Sequence, residues 1–263
     1  MTRIAVFQMS ALIDAADRPA RLISAMQEAA TGGARLMIAP ELALSGYGRG
    51  AVLSEEAQRH DGLGARTLGE AAAKHDISIV VGFPEEAGGT RHISALMIDR
   101  GAPDAPIVYR KGCLYGDYER GIFTAAGPST VIVQMEGLKV GCLICYDIEF
   151  PENVRRLALA GVELVAVPTA LPKGAPAEFI ARHMIRARAF ESQVFVAYAD
   201  NADRDDGFEY QGLSSIAAPD GTVLAEAGET DDALIFADID PSIFSTSRKE
   251  NPYLKDAVLQ GLV

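Results

Sequence analysis

A chain of 263 residues, 49% apolar and 23% charged, can bury its own core in one large domain without disulfides or zinc. A net charge of −12 and the lack of any Lys/Arg run argue against a nucleic-acid partner, and no stretch approaches the ~18 uninterrupted apolar residues of a membrane helix. Three cysteines are too few and too odd in number for a disulfide framework, and the first residues run straight into alternating apolar positions rather than a secretory signal, so a cytoplasmic protein is expected.

In chain order, RIAVFQMS (3–10) reads as a strand, and RPARLISAMQEAATGG (18–33) as an amphipathic helix that stops at its glycines. ARLMIAPE (34–41) reads as a buried strand, and LALSGYGRG (42–50) as a glycine-rich loop. A helix over 61–76 precedes strands over 77–83, 91–99 and 107–111. Residues 130–147 read as a hairpin turning at Glu136-Gly137. PENVRRLALAG (151–161) has Pro at its first position, Glu in its first turn and Gly at its end, which predicts a helix. A strand over 163–170 and the longest helix, 175–193, lead into VFVAYADN, GLSSIAAP, TVLAEAG and ALIFADID, all strand-like. After these comes a short helix or an extended tail. Alternating elements with no linker and no repeat predict one layered α/β domain with a mixed sheet or two packed sheets.

Cys145 poses the functional question: redox partner, metal ligand, core residue or nucleophile. Cys142 and Cys145 have CxxC spacing, but VGCLIC alternates like a strand, which points cysteines three apart to opposite faces. His60, His75, His92 and His183 form no paired ligand motif, so no metal is expected. Cys113 and Cys142 read as core or near-core residues. Cys145 ends a strand just before a turn and a helix, where reactive groups collect in α/β domains. A nucleophilic thiol needs a base, and no histidine sits at a strand end. Glu41 does, at the mouth of a buried strand where desolvation raises a carboxyl pKa. Lys111 ends another strand, placed to stabilise a thiolate or an oxyanion.

Three ordered motifs carry these residues: MIAPELALSGY, YRKGCLYGDYERGIFTAAG and GCLICYDIEFPE. With the flanks PENVRRLALAGVELVAVPTA and RARAFESQVFVAYADN, the chain resembles the nitrilase superfamily of carbon–nitrogen hydrolases from the first strand to about residue 240. The resemblance implies an α-β-β-α sandwich of two packed mixed sheets, a single domain over 1–263, homodimers or larger assemblies, and a tail, 241–263, that could pack on a neighbouring subunit. It implies Glu41 as general base, Cys145 as nucleophile, and Lys111 with the backbone N–H of Tyr146 as oxyanion donors. Glu119 would orient Lys111 or the substrate. No cofactor is required by this chemistry.

Within the superfamily the chain looks most like amidases acting on amino-amides, 5-aminopentanamidases and R-stereoselective amidases among them. Glu149 is expected to pair with a substrate ammonium. Ala170, after a strand end, and Glu209 and Tyr210, in the acidic stretch 199–212, are further substrate-binding candidates. An N-carbamoyl amidohydrolase, a nitrilase and a non-catalytic binding protein are the rival readings.

Overall fold

The computed structural model describes residues 1–263. The elements are β1 (Thr2–Ser10), α1 (Arg18–Thr31), β2 (Leu36–Ile38), α2 (Val52–Glu55), α3 (Leu63–His75), β3 (Ser78–Ala87), β4 (Thr90–Ile98), β5 (Ile107–Arg110), α4 (Gly116–Ile122), β6 (Ile132–Met135), β7 (Leu138–Cys142), α5 (Pro151–Leu159), β8 (Leu164–Pro168), α6 (Ala177–Phe179), α7 (Ile185–Ser192), β9 (Phe195–Ala199), β10 (Asn201–Ala202), β11 (Ser215–Ala217), β12 (Val223–Glu226), β13 (Ala233–Ile239), α8 (Ser245–Glu250) and α9 (Tyr253–Leu259).

Alternation along β1 sets the layers. Ala5, Phe7 and Met9 pack with Leu22, Met26 and Leu68, beneath α1 and α3. Ile4 and Val6, pointing the other way, join Val140, Val165 and Ile185 in a second core. A strand with both faces buried in this way needs an apolar layer on each side. The first sheet runs β10-β1-β2-β3-β4-β5, with β13 also antiparallel to β1. The second runs β12-β11-β9-β8-β7-β6. Each is mixed, with a parallel centre, β1-β2-β3 in one and β7-β8-β9 in the other. The result is the α-β-β-α sandwich expected from the sequence.

The differences from expectation have local causes. The hairpin turns at Glu136-Gly137 as expected, both at positive φ, but its second strand stops at Cys142. The expected helix over 175–193 is divided, with a π-helical turn at Ile180–Met184 between α6 and α7. GDYERGI, assigned to no element from the sequence, forms α4. The tail folds back on its own chain: Phe244 meets Phe195 edge-on, Tyr253 meets Phe190, and Ser247 bonds Gln193. No helix is long and apolar enough to cross a membrane.

Candidate active site

The site gathers at the carboxyl ends of strands from both sheets. Glu41 follows β2, Lys111 follows β5, Cys145 follows β7, Ala170 follows β8 and Asp200 follows β9. The loop bearing Glu41 lies directly on β3. Gly82 donates its N–H to Pro40 O at 3.0 Å, and its C=O accepts from Leu44 N at 3.3 Å. A Cβ on Gly82 would stand 2.4 Å from Leu42 N and 2.6 Å from Glu41 Cα, so only glycine permits this approach.

Lys111 joins two carboxylates. Its Nζ is 2.7 Å from Glu41 Oε1 and 2.7 Å from Glu119 Oε1, and all three side chains are fully buried. Ala170 N–H donates to Glu41 Oε2 at 3.1 Å. Glu119 also accepts from the Tyr47 hydroxyl at 2.8 Å and from Tyr115 N–H at 2.7 Å. Burial pushes the Glu41 carboxyl up to about 7, against the pull of Lys111. Burial alone would lower the Lys111 ammonium, but Glu41 and Glu119 outweigh it and hold it well above its ordinary value.

Cys145 opens a tight 3-10 turn, Cys145–Glu149, at φ +46°. A left-handed backbone at a non-glycine residue is strained, and such strain collects at functional sites. The thiol is held well up by burial and by the Glu41 charge, with Lys111 opposing and the Ala170 N–H reaching toward it. Burial thus favours the neutral thiol over the thiolate. Cys142 is buried in the core and Cys113 half-buried, and all three cysteines are free.

Asp147 locks this turn to the loop after Lys111. Its carboxylate accepts from Cys113 N at 2.8 Å, the Tyr109 hydroxyl at 2.9 Å, Ile144 N at 3.2 Å and Gly112 N at 3.3 Å. Sequence reasoning missed Asp147, because a lone Asp in a turn has no spacing signature. It also missed Tyr47 and Asp200, whose Oδ1 holds Leu171 N–H at 2.9 Å.

The substrate-binding candidates separate in space. Glu149 is half-buried, and burial raises its carboxyl while the Lys111 and Arg188 charges pull it down. Arg188 bonds the Glu149 backbone carbonyl at 2.6 Å, leaving the carboxylate without an ion-pair partner. Tyr146 stacks edge-on between Tyr115 (5.3 Å) and Phe150 (5.0 Å), making an aromatic wall next to it. Ala170 is buried and serves Glu41. Tyr210 is buried, with its hydroxyl 2.5 Å from Asp205 and its ring edge-on to Tyr47. Glu209 lies outside the cluster, exposed and paired with Lys173 at 3.2 Å. No group of three or more His, Cys, Asp or Glu side chains is arranged to hold a metal ion.

Residues 3–248 match the family model for carbon-nitrogen hydrolases. The chain belongs to that family. It is 42% identical over 200 residues to the "Hydrolase in pqqF 5'region" of Pseudomonas protegens, covering 76% of this chain and 69% of that protein. It is 34% identical to an (R)-stereoselective amidase of Pseudomonas sp over 205 residues, covering 77% and 72%. A cysteine-to-alanine mutant of the amidase from Nesterenkonia sp. AN1, solved with butyramide, superposes with TM-score 0.84 at 28% identity, covering 97% of this chain and 93% of that one. A glutamate-to-glutamine mutant of the same amidase carries acrylamide added at its active-site cysteine, with TM-score 0.83, 27% identity, and 95% and 99% covered. This carbon–nitrogen hydrolase is thus an enzyme acting on C–N bonds, of the amidase type.

Proposed function

We propose that this hydrolase cleaves a small linear, amino-bearing carboxamide to the free acid and ammonia through a thioester on Cys145. The observation that carries the reading is the buried meeting of Glu41, Lys111 and Glu119 beside a thiol on a strained turn. Glu41 takes the thiol proton as sulfur attacks the amide carbon. The oxyanion forms facing the Lys111 ammonium and the Tyr146 N–H. Glu41 returns the proton to the leaving nitrogen, the C–N bond breaks, and ammonia departs. Water then adds to the thioester, giving its proton to Glu41. Collapse releases the acid, and the proton returns to sulfur. Glu119 holds Lys111 in line through its 2.7 Å contact.

Small aliphatic amides are supported by the butyramide and acrylamide bound to the Nesterenkonia amidase. The amino group is supported by Glu149. A half-buried carboxylate that feels Lys111 and Arg188 but makes no direct ion pair, near the aromatic wall of Tyr115, Tyr146 and Phe150, can receive an ammonium. Tyr210, by contrast, supports the wall behind Tyr47, and Glu209 contributes at most to the field at the mouth. Pairing of two subunits is supported by the exposed apolar side chains Leu159, Val258, Leu259 and Leu262 on α5 and the tail.

The test is ammonia release across short amides with and without a terminal amine, with Cys145→Ala as control. Turnover of the amino-amides, lost in the control and without carbon dioxide, is expected. Carbon dioxide release would reassign the enzyme to carbamoyl substrates, and comparable rates on nitriles would reassign it to nitrilases.

A further inference from the structure

Arg18 opens α1, a position from which an arginine ordinarily reaches into water. Here it is 2% exposed. It makes no ion pair and donates instead to neutral oxygens: Nε to Ala43 O at 2.9 Å, Nη2 to Asn201 Oδ1 at 3.2 Å and Nη1 to Ile13 O at 3.3 Å. Burial lowers the guanidinium only to about 10, so it remains charged at neutral pH. Asp205 and Asp232 act on it only from beyond ion-pair distance, and a buried cation with no direct ion pair costs free energy that an apolar residue of the same volume would not, so stability alone does not account for it.

Its partners bracket the residue after Glu41. Asn201 Nδ2 donates onward to Glu41 O at 3.4 Å. The Glu41 and Ala43 carbonyls lie on either side of Leu42, which is itself at φ +49°. Gly46 passes over the guanidinium, where a Cβ would stand 3.8 Å from Arg18 Cζ. Gly82 closes the other side of the same loop. The strained turn that aims Glu41 is therefore gripped between a strand backbone and one buried arginine.

We infer that Arg18, relayed by Asn201, is a positioning residue that fixes the aim of the Glu41 carboxylate at Cys145. This rests on Glu41 being the general base. The fork geometry matters: a lysine carries the charge but cannot bond Ala43 O and Asn201 Oδ1 in one plane.

The experiment measures kcat and KM on a short amide for Arg18→Lys, Asn201→Ala and the double variant, with kcat divided by the folded fraction from denaturant titration. Misaiming a catalytic group by about 1 Å costs up to about 100-fold. The expected result is a kcat about tenfold lower or more in each single variant, KM within about twofold, and a double variant no worse than the weaker single. A loss of kcat per folded molecule below about threefold in the singles, or effects that multiply in the double, overturns the inference. Should Arg18→Lys not fold, Asn201→Ala decides alone, since it removes one small side chain and keeps Arg18. Glu41→Gln is the separate control: if it retains turnover, the base assignment fails whatever Arg18 does.

Discussion

Two lysines in this molecule each bridge two glutamates, and only one of the two sets is built for chemistry. Lys173 lies 3.2 Å from Glu209 and 3.4 Å from Glu229, with all three side chains well exposed. Lys111 lies 2.7 Å from both Glu41 and Glu119, with no exposure at all. Water and salt screen the first set to near irrelevance. In the second, desolvation moves Glu41 into the range of a base at neutral pH and makes each charge depend on the others. The lesson is that the same residue types gain function from where the backbone buries them.

Breaking the buried set should have the largest effect. Lys111→Met removes the cation between two buried carboxylates and the ammonium facing the oxyanion. We expect kcat to fall by about 100-fold or more, and stability by about 3–5 kcal/mol in urea melts. Retained kcat would show that Lys111 is structural only. Next comes Gly82→Ala, which touches no charge. The added methyl must push the Glu41 loop away, so kcat should fall by about 100-fold while the second sheet remains folded by circular dichroism. Wild-type turnover in that variant would mean that the loop has slack.

The pH profile sharpens the same contrast. Glu41 must be ionised to accept the Cys145 proton, and its carboxyl is raised to about 7, so kcat/KM should rise as pH passes upward through about 7. The linked stability has the opposite sign. A raised carboxyl pKa means that the folded state holds the proton more tightly, so this group's contribution is full below its ordinary 4.5 and is lost as pH rises through about 7. An acid limb near pH 4–5 would show that burial does not tune Glu41.

Glu149→Gln is smaller and selective. KM for an amino-amide should rise about tenfold, with KM for the neutral amide of equal length unchanged. Equal effects on both would remove the ammonium role. Lys173→Ala, at the exposed set, should leave rate and melting temperature within error. A measurable loss of activity there would bring Glu209 back into the site.

Much of this was legible in the sequence because strands announce their ends. Glu41, Lys111 and Cys145 each close an apolar run, and the three ordered motifs carry them. The left-handed turn at Cys145 was not legible, since LICYD continues the apolar run, while in the structure the Ile144 N–H turns to the Asp147 carboxylate. Helix α4 was hidden because GDYERGI is short and glycine-flanked; it holds because Glu119 caps back onto Tyr115 and reaches Lys111. Arg18 and Asn201 carried no signal, because their partners lie 25 and 160 residues away. Glu209 drew attention as part of an acidic run, and composition alone does not say which way a loop faces.

The most direct test is intact-protein and peptide mass spectrometry of the enzyme quenched during turnover of a small amide. The account predicts one added acyl group, on the peptide containing Cys145, lost on further incubation. Turnover with no adduct at Cys145, or with the acyl group on Cys113 or Cys142, would contradict it.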